Sequence, residues 1–138
     1  MATAPRWLLK TEPTAYSFQQ LQEDRHTVWD GVKNPLALKH LGQMRAGDGV
    51  VIYHTGTEKA AVGIARVVEG PYPDPAKKDA KLLVVELAAE HALPRPVPLA
   101  EIRARLDLKD FALVRLPRLS VMPVNAAQWA ALETLARS

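Results

Sequence analysis

Val50-Val51-Ile52-Tyr53-His54 and Ala61-Val62-Gly63-Ile64-Ala65-Arg66-Val67-Val68 are two apolar runs separated by the polar segment Thr55-Gly56-Thr57-Glu58-Lys59. Runs of this length and composition suit strands, and a short glycine-containing segment between them suits a hairpin. Upstream, Arg6-Trp7-Leu8-Leu9-Lys10-Thr11 reads as a first strand, stopped where Pro13 biases Glu12 away from helix. Downstream, Lys81–Leu87 reads as a further strand and Arg118-Leu119-Ser120-Val121 as a last short one. Helices fall between. Ser17, with Gln20 at the capping-box position, starts a short helix that ends near Asp24. Asn34 and Pro35 start a second, in which Ala37, Leu38, Leu41 and Met44 recur at helical spacing and which Gly47 is placed to close. Pro94, Pro96 and Pro98 read as a rigid connector into a short helix near Leu99–Leu106, and a further element covers Leu108–Leu113. Asn125 with Gln128 caps a final helix carrying Trp129, Leu132 and Leu135. Gly70-Pro71-Tyr72-Pro73-Asp74-Pro75, with prolines at alternate positions, is expected to be irregular. The pattern predicts an α+β fold, its five to six short strands curling into a small β-barrel flanked by short helices.

The 138 residues fit one domain spanning 1–138, since domains cluster near about 100–150 residues. The absence of cysteine excludes disulfides, zinc ribbons, iron–sulfur clusters and thiol nucleophiles. No apolar run approaches the roughly 20 residues of a membrane span, and Met1-Ala2-Thr3-Ala4-Pro5-Arg6 lacks a signal-peptide core. A soluble cytoplasmic protein without membrane contact is expected. The net charge of +3 is spread evenly and forms no basic block of the kind that drives non-specific nucleic-acid binding.

Few residues suggest chemistry. Trp29-Asp30-Gly31-Val32-Lys33-Asn34 sets an aromatic, a carboxylate and a capping amide just before a helix. It reads either as a packed turn or as a stacking surface beside free helix N–H groups. His54 is an isolated histidine at a strand end; His26, His40 and His91 are scattered, so no metal-ligand spacing exists and no cofactor motif is present. Nucleophile elbows, P-loops, dinucleotide fingerprints and zinc-protease motifs are all missing.

A wider set of residues carries a resemblance. Trp7-Leu8-Leu9-Lys10-Thr11-Glu12-Pro13, Tyr16-Ser17-Phe18, Trp29-Asp30-Gly31-Val32 with Asn34 and Ala37, Gly47-Asp48, Tyr53-His54-Thr55, Val62-Gly63-Ile64-Ala65, Tyr72-Pro73-Asp74-Pro75 and Arg118-Leu119-Ser120-Val121 occur in collinear order. Together they resemble the EVE domain, a PUA-like family related to ASCH and YTH domains. The resemblance implies a partly open barrel with a central pocket, and a binding module in place of an enzyme. It implies a nucleic-acid partner containing a modified base, modified cytosine in DNA favoured over RNA, flipped into an aromatic pocket. It also implies a link with restriction or phage-defence systems. Carried over by position, Trp29 would stack on the base within a ligand-binding set that also includes Val32. Asn34 and the backbone of Lys10, Thr11, Tyr53, His54 and Thr55 would meet the ring edge, and Asp30 would accept from an exocyclic amine. Lys33, Arg118 and Ser120 would form the rim. Where the family commonly shows Arg-Asn-Tyr-Gln-Ala, this chain has Lys33-Asn34-Pro35-Leu36-Ala37, which loses an aromatic and an amide near the pocket. The alternatives are a reader of a modified nucleotide in RNA, a protein-interaction module, or an enzyme using His54 and Asp30 as an acid–base pair on a nucleoside-like ligand.

Overall fold

Six strands form one sheet in the order β2 (His26–Trp29), β5 (Leu83–Pro98), β4 (Ala60–Pro73), β3 (Gly49–His54), β1 (Arg6–Thr11), β6 (Val121–Val124), in a computed structural model that describes residues 5–138. Met1–Ala4, on which part of the leader expectation rests, lie outside the described residues. The centre of the sheet is the parallel pair β1 (Arg6–Thr11) and β3 (Gly49–His54), with Trp7 opposite Val50 and Leu9 opposite Ile52. Leu8, Leu9, Val50 and Ile52 are fully buried, as near-continuous apolar runs in parallel strands require. The hairpin expected from the sequence joins β3 to β4 (Ala60–Pro73), and β5 (Leu83–Pro98) returns antiparallel to β4. The short strands β2 (His26–Trp29) and β6 (Val121–Val124) pair with β5 and β1.

Among the described residues β2 and β6 do not pair, so the sheet stays open. It is nevertheless strongly curled. Four strand spacings separate β2 from β1 along the sheet, about 19 Å if it were flat, yet both strands line one cavity. The fold is α+β, a six-stranded curled sheet with short helices.

Two proline-rich stretches extend strands where the sequence predicts irregular structure or a connector. β4 continues through Gly70, Pro71 and Pro73, with register shifts between Glu69 and Tyr72. Beyond Val67, among the described residues, only β5 borders it, so prolines meet a free edge there. β5 runs on to Pro98, pairing Val97 with Ala61. The Leu99 N–H donates to Lys59 O at 2.8 Å. Residues two apart point the same way, so Val97 faces β4 while Pro96 and Pro98 turn their missing donors outward.

The helix starts follow the sequence. Helix α1 (Phe18–Asp24) is capped by Ser17 Oγ, which accepts the Gln20 N–H at 3.0 Å. The Gln20 side chain does not close the box; it donates to Asp24 Oδ1 at 2.9 Å. Helix α2 (Pro35–Leu41) starts at Asn34 as expected but stops at Gly42. Gly47, at φ +96°, belongs to the turn before β3, where its N–H donates to Val67 O. Beside it the buried Asp48 carboxylate accepts the Trp7 indole N–H and the Arg45 N–H, both at 2.9 Å. After β5 come α3 (Leu99–Ala104), a 3-10 turn (Leu106–Leu108) and α4 (Ala112–Arg115). The last strand begins only at Val121; Arg118 is exposed ahead of it, and Ser120 O receives the Lys10 N–H at 3.0 Å. Helix α5 (Ala126–Arg137) carries the full capping box of Asn125 and Gln128. No helix among the described residues is long and apolar enough to cross a membrane.

Candidate functional site

The C-terminal end of β1, the loop ahead of α1 and the end of β2 enclose a cavity of about 440 Å³. Lys10, Thr11, Tyr16, Thr27, Trp29 and Asp30 line it. Its shape follows from local chemistry. Past Pro13 the chain folds back, with the Ala15 and Tyr16 N–H groups both donating to Glu12 O at 2.9 Å. Thr11 Oγ1 then donates to Tyr16 O at 2.7 Å, fixing the loop against the strand end. Tyr16 in turn meets Trp29 edge-on, with ring centroids 6.2 Å apart and planes at 85°. The Tyr16 hydroxyl donates to Asp24 Oδ2 at 2.7 Å, and burial is the main reason its phenol is raised above the usual value. Trp29 closes β2 opposite Val85 and is 7% exposed, so the core holds its indole rigidly. Asp30, the next residue, stands exposed at the mouth. The site therefore offers two aromatic rings at a right angle, threonines and a carboxylate, within the about 300–1,000 Å³ typical of small-ligand pockets.

Of the residues singled out by sequence, the cavity gathers Lys10, Thr11, Trp29 and Asp30. The others are distributed elsewhere. Tyr53 and Thr55 line a neighbouring cleft that shares Lys10. His54 is buried, with Nε2 accepting the Phe18 N–H at 3.0 Å and Nδ1 against Glu58 Oε1 at 2.6 Å. It does not join Asp30 in the cavity, so the acid–base pair of the enzyme alternative is not formed. Asn34 Oδ1 is spent on the N–H groups of Leu36 and Ala37, at 2.9 and 3.0 Å. Asn34 also lines a separate groove with Arg115 and Arg118. Val32 packs in the core, Lys33 is exposed, and Ser120 is joined to Lys10 by a backbone bond.

Sequence reasoning missed Tyr16 and Thr27 as lining residues. Tyr16 stands in a matched block that assigns it no role, and the four residues of β2 show no alternation that would mark Thr27 as lying on a strand. Lys10 has a particular environment: its amine donates to Pro117 O at 2.8 Å and stands 5.7 Å from the Tyr53 ring centroid. Burial lowers its pKa below that of an ordinary lysine. Among the described residues no group of three or more histidines or carboxylates is placed to hold a metal.

The comparisons with known proteins agree with this architecture. The protein Rpa0253 from Rhodopseudomonas palustris, solved by NMR, is 36% identical and superposes with a TM-score of 0.92, covering 97% of this chain and 94% of its own. Thymocyte nuclear protein 1 of Homo sapiens is 26% identical over 157 residues, covering 89% of this chain and 70% of that protein. A crystal structure of the human THYN1 protein in complex with 5-methylcytosine-containing DNA is 25% identical to this chain, with a TM-score of 0.89, over 98% of this chain and 99% of that one. At 10% identity and a TM-score of 0.58, an ASCH protein from Zymomonas mobilis shares the fold alone, over 94% of each chain. The model of the EVE domain matches residues 5–135, and the chain belongs to the EVE domain family.

Proposed function

We propose that this protein is a DNA-binding module that reads a modified cytosine, taken out of the base stack and held against Trp29. The observation that carries the reading is the right-angled pair of Trp29 and Tyr16 with Asp30 at the mouth. A flat ring can stack on one aromatic face and meet the other edge-on, while Asp30 accepts from the N4 amine that cytosine presents. Extruding a base costs a few kcal/mol, and stacking returns about 1–3 kcal/mol per base. The 5-methylcytosine DNA bound by the human relative supports the choice of base. The reading involves no chemical step on the base. It describes a cytoplasmic protein suited to work alongside restriction or phage-defence nucleases, whose targeting turns on base modification.

Fluorescence anisotropy with duplexes that differ only in a central cytosine or 5-methylcytosine tests this reading. The methylated duplex is expected to bind about tenfold more tightly, the scale on which a pocket distinguishes one added carbon. Trp29→Ala should abolish the preference and weaken methylated DNA by about 10–100-fold. Equal binding of the two duplexes, or a preference that survives Trp29→Ala, overturns the reading. A matched RNA that outcompetes the DNA would move it to the RNA alternative.

A further inference from the structure

We propose that the cleft beside the Trp29 cavity, built from Lys10, Tyr53, Lys59 and Arg103, is a phosphate site. It holds the phosphate of the nucleotide whose base lies against Trp29, and so rests on the reading above. The cleft has a volume of about 250 Å³. Its three cations come from three separate elements: Lys10 from β1, Lys59 from the β3–β4 turn and Arg103 from α3.

None of the three has a carboxylate within ion-pair distance among the described residues, whereas Arg66, Arg95, Arg105 and Arg137 each do. The acids next to the cleft in sequence have partners other than its cations. Glu58, adjacent to Lys59, is held by His54. Glu101, two residues before Arg103, is paired with Arg95. Glu12 does stand at the edge of the cleft, where its carboxylate accepts from the lining residue Thr55 as well as from Thr14, but it makes no ion pair with any of the three cations. Three like charges thus line one concavity with no ion-pair partner of their own among the described residues, an arrangement whose repulsion an anion relieves.

Tyr53 adds a neutral donor. Burial raises its phenol above the usual value, against a smaller opposing pull from the Arg103 guanidinium, so it keeps its proton at neutral pH. Cations supplied to one cleft by three elements match a phosphate, whose oxygens can each take a charge-assisted hydrogen bond. Lys10 lines both cavities, so base site and phosphate site are contiguous at one residue. In a nucleotide the same two groups are separated by one sugar. The site differs from the rim expected from sequence, since Arg118 lines another groove and Lys33 precedes α2.

The test is the double variant Lys59→Gln with Arg103→Gln, both exposed positions. An unchanged melting midpoint establishes that it folds. Anisotropy with the methylated duplex across a potassium chloride series should show binding roughly tenfold weaker or worse, as expected for lost bonds to a charged group. The salt slope should fall by about 0.7–0.9, the value of one phosphate contact. The preference for 5-methylcytosine over cytosine should remain, and Lys59→Arg with Arg103→Lys should restore the slope. Unchanged affinity and slope in the glutamine variant, with the Trp29-dependent preference intact, overturns the phosphate site and leaves the base reading standing. Absence of any preference in the unaltered protein overturns the base reading and with it the coupling of the two sites.

Two further probes distinguish the source of the phosphate, 5-methyl-2′-deoxycytidine and its 5′-monophosphate, titrated by NMR. Tighter binding of the monophosphate, lost in the glutamine variant, supports a terminal phosphate. Equal binding of the two probes together with the reduced duplex slope supports a phosphodiester of the strand.

Discussion

The imidazole of His54 receives the Phe18 N–H on Nε2 at 3.0 Å, and a nitrogen that accepts a backbone N–H carries no proton of its own. The ring proton therefore sits on Nδ1 and donates to Glu58 Oε1, 2.6 Å away. This one side chain joins the start of α1 to the end of β3, and both of its nitrogens are consumed by the fold. Long-range nitrogen–proton correlation spectra at neutral pH are expected to show the Nδ1–H tautomer. His54→Ala, which strands a buried N–H, should cost about 1–3 kcal/mol. Detection of the Nε2–H tautomer would contradict this assignment, and a variant of undiminished stability would show that the Phe18 N–H finds another partner. Asp48 does comparable work for β1, taking the Trp7 indole N–H while holding the turn that precedes β3.

Helix α1 lies so close to β4 that a Cβ added at Gly63 would come within 2.3 Å of the Phe18 ring, itself only 3% exposed. Gly63→Ala is accordingly expected to cost about 3 kcal/mol, since a packed core resists even one extra carbon. Phe18→Leu in the same chain should recover part of that loss, and a double-mutant cycle of thermal melts reads the coupling. Additive effects would mean that the two residues do not share the space. At this scale the sequence is legible wherever local chemistry decides an element. Pro13 bounds β1, and Ser17, Asn34 and Asn125 each cap the helix that follows them. It is opaque where pairing decides. β2 has four residues and no clean alternation, and it is a strand only because β5 offers an edge. The proline half of β5 is a strand because its outer side needs no donors. The site divides in the same way: Trp29 and Asp30 stand out as neighbours in the chain, whereas Lys59 and Arg103 meet only after the β3–β4 turn and α3 have docked.

Across the molecule, charge–hydrogen-bond networks set how stability depends on pH. On the β4, β5 and β2 end of the sheet, the Tyr72 hydroxyl donates to Glu86 Oε2 at 2.7 Å, and His26 Nε2 lies 3.0 Å from Glu86 Oε1. The hydrogen bond from Tyr72 is the main cause holding the Glu86 carboxyl below its usual value. Arg95 and Arg105 do the same for Glu101 and Asp107. These depressed carboxyls stabilise the fold above their unfolded pKa values, and the contribution is lost as pH falls through the lower folded values. The phenols run the opposite way. The bond to Glu86 pushes Tyr72 up to about 12, and burial raises Tyr16 and Tyr53. Their contribution is complete below the ordinary phenol value of about 10 and is lost as pH rises through the raised folded values. Melting temperature is thus expected to hold a plateau through neutrality and to fall on both sides. Glu86→Gln should bring the Tyr72 midpoint down toward that of a free phenol and make the alkaline fall shallower, while removing part of the acid limb. Phenolate absorbance followed through an alkaline titration checks this directly. A Tyr72 midpoint equal in the variant and the unaltered protein would mean that Glu86 does not govern that phenol.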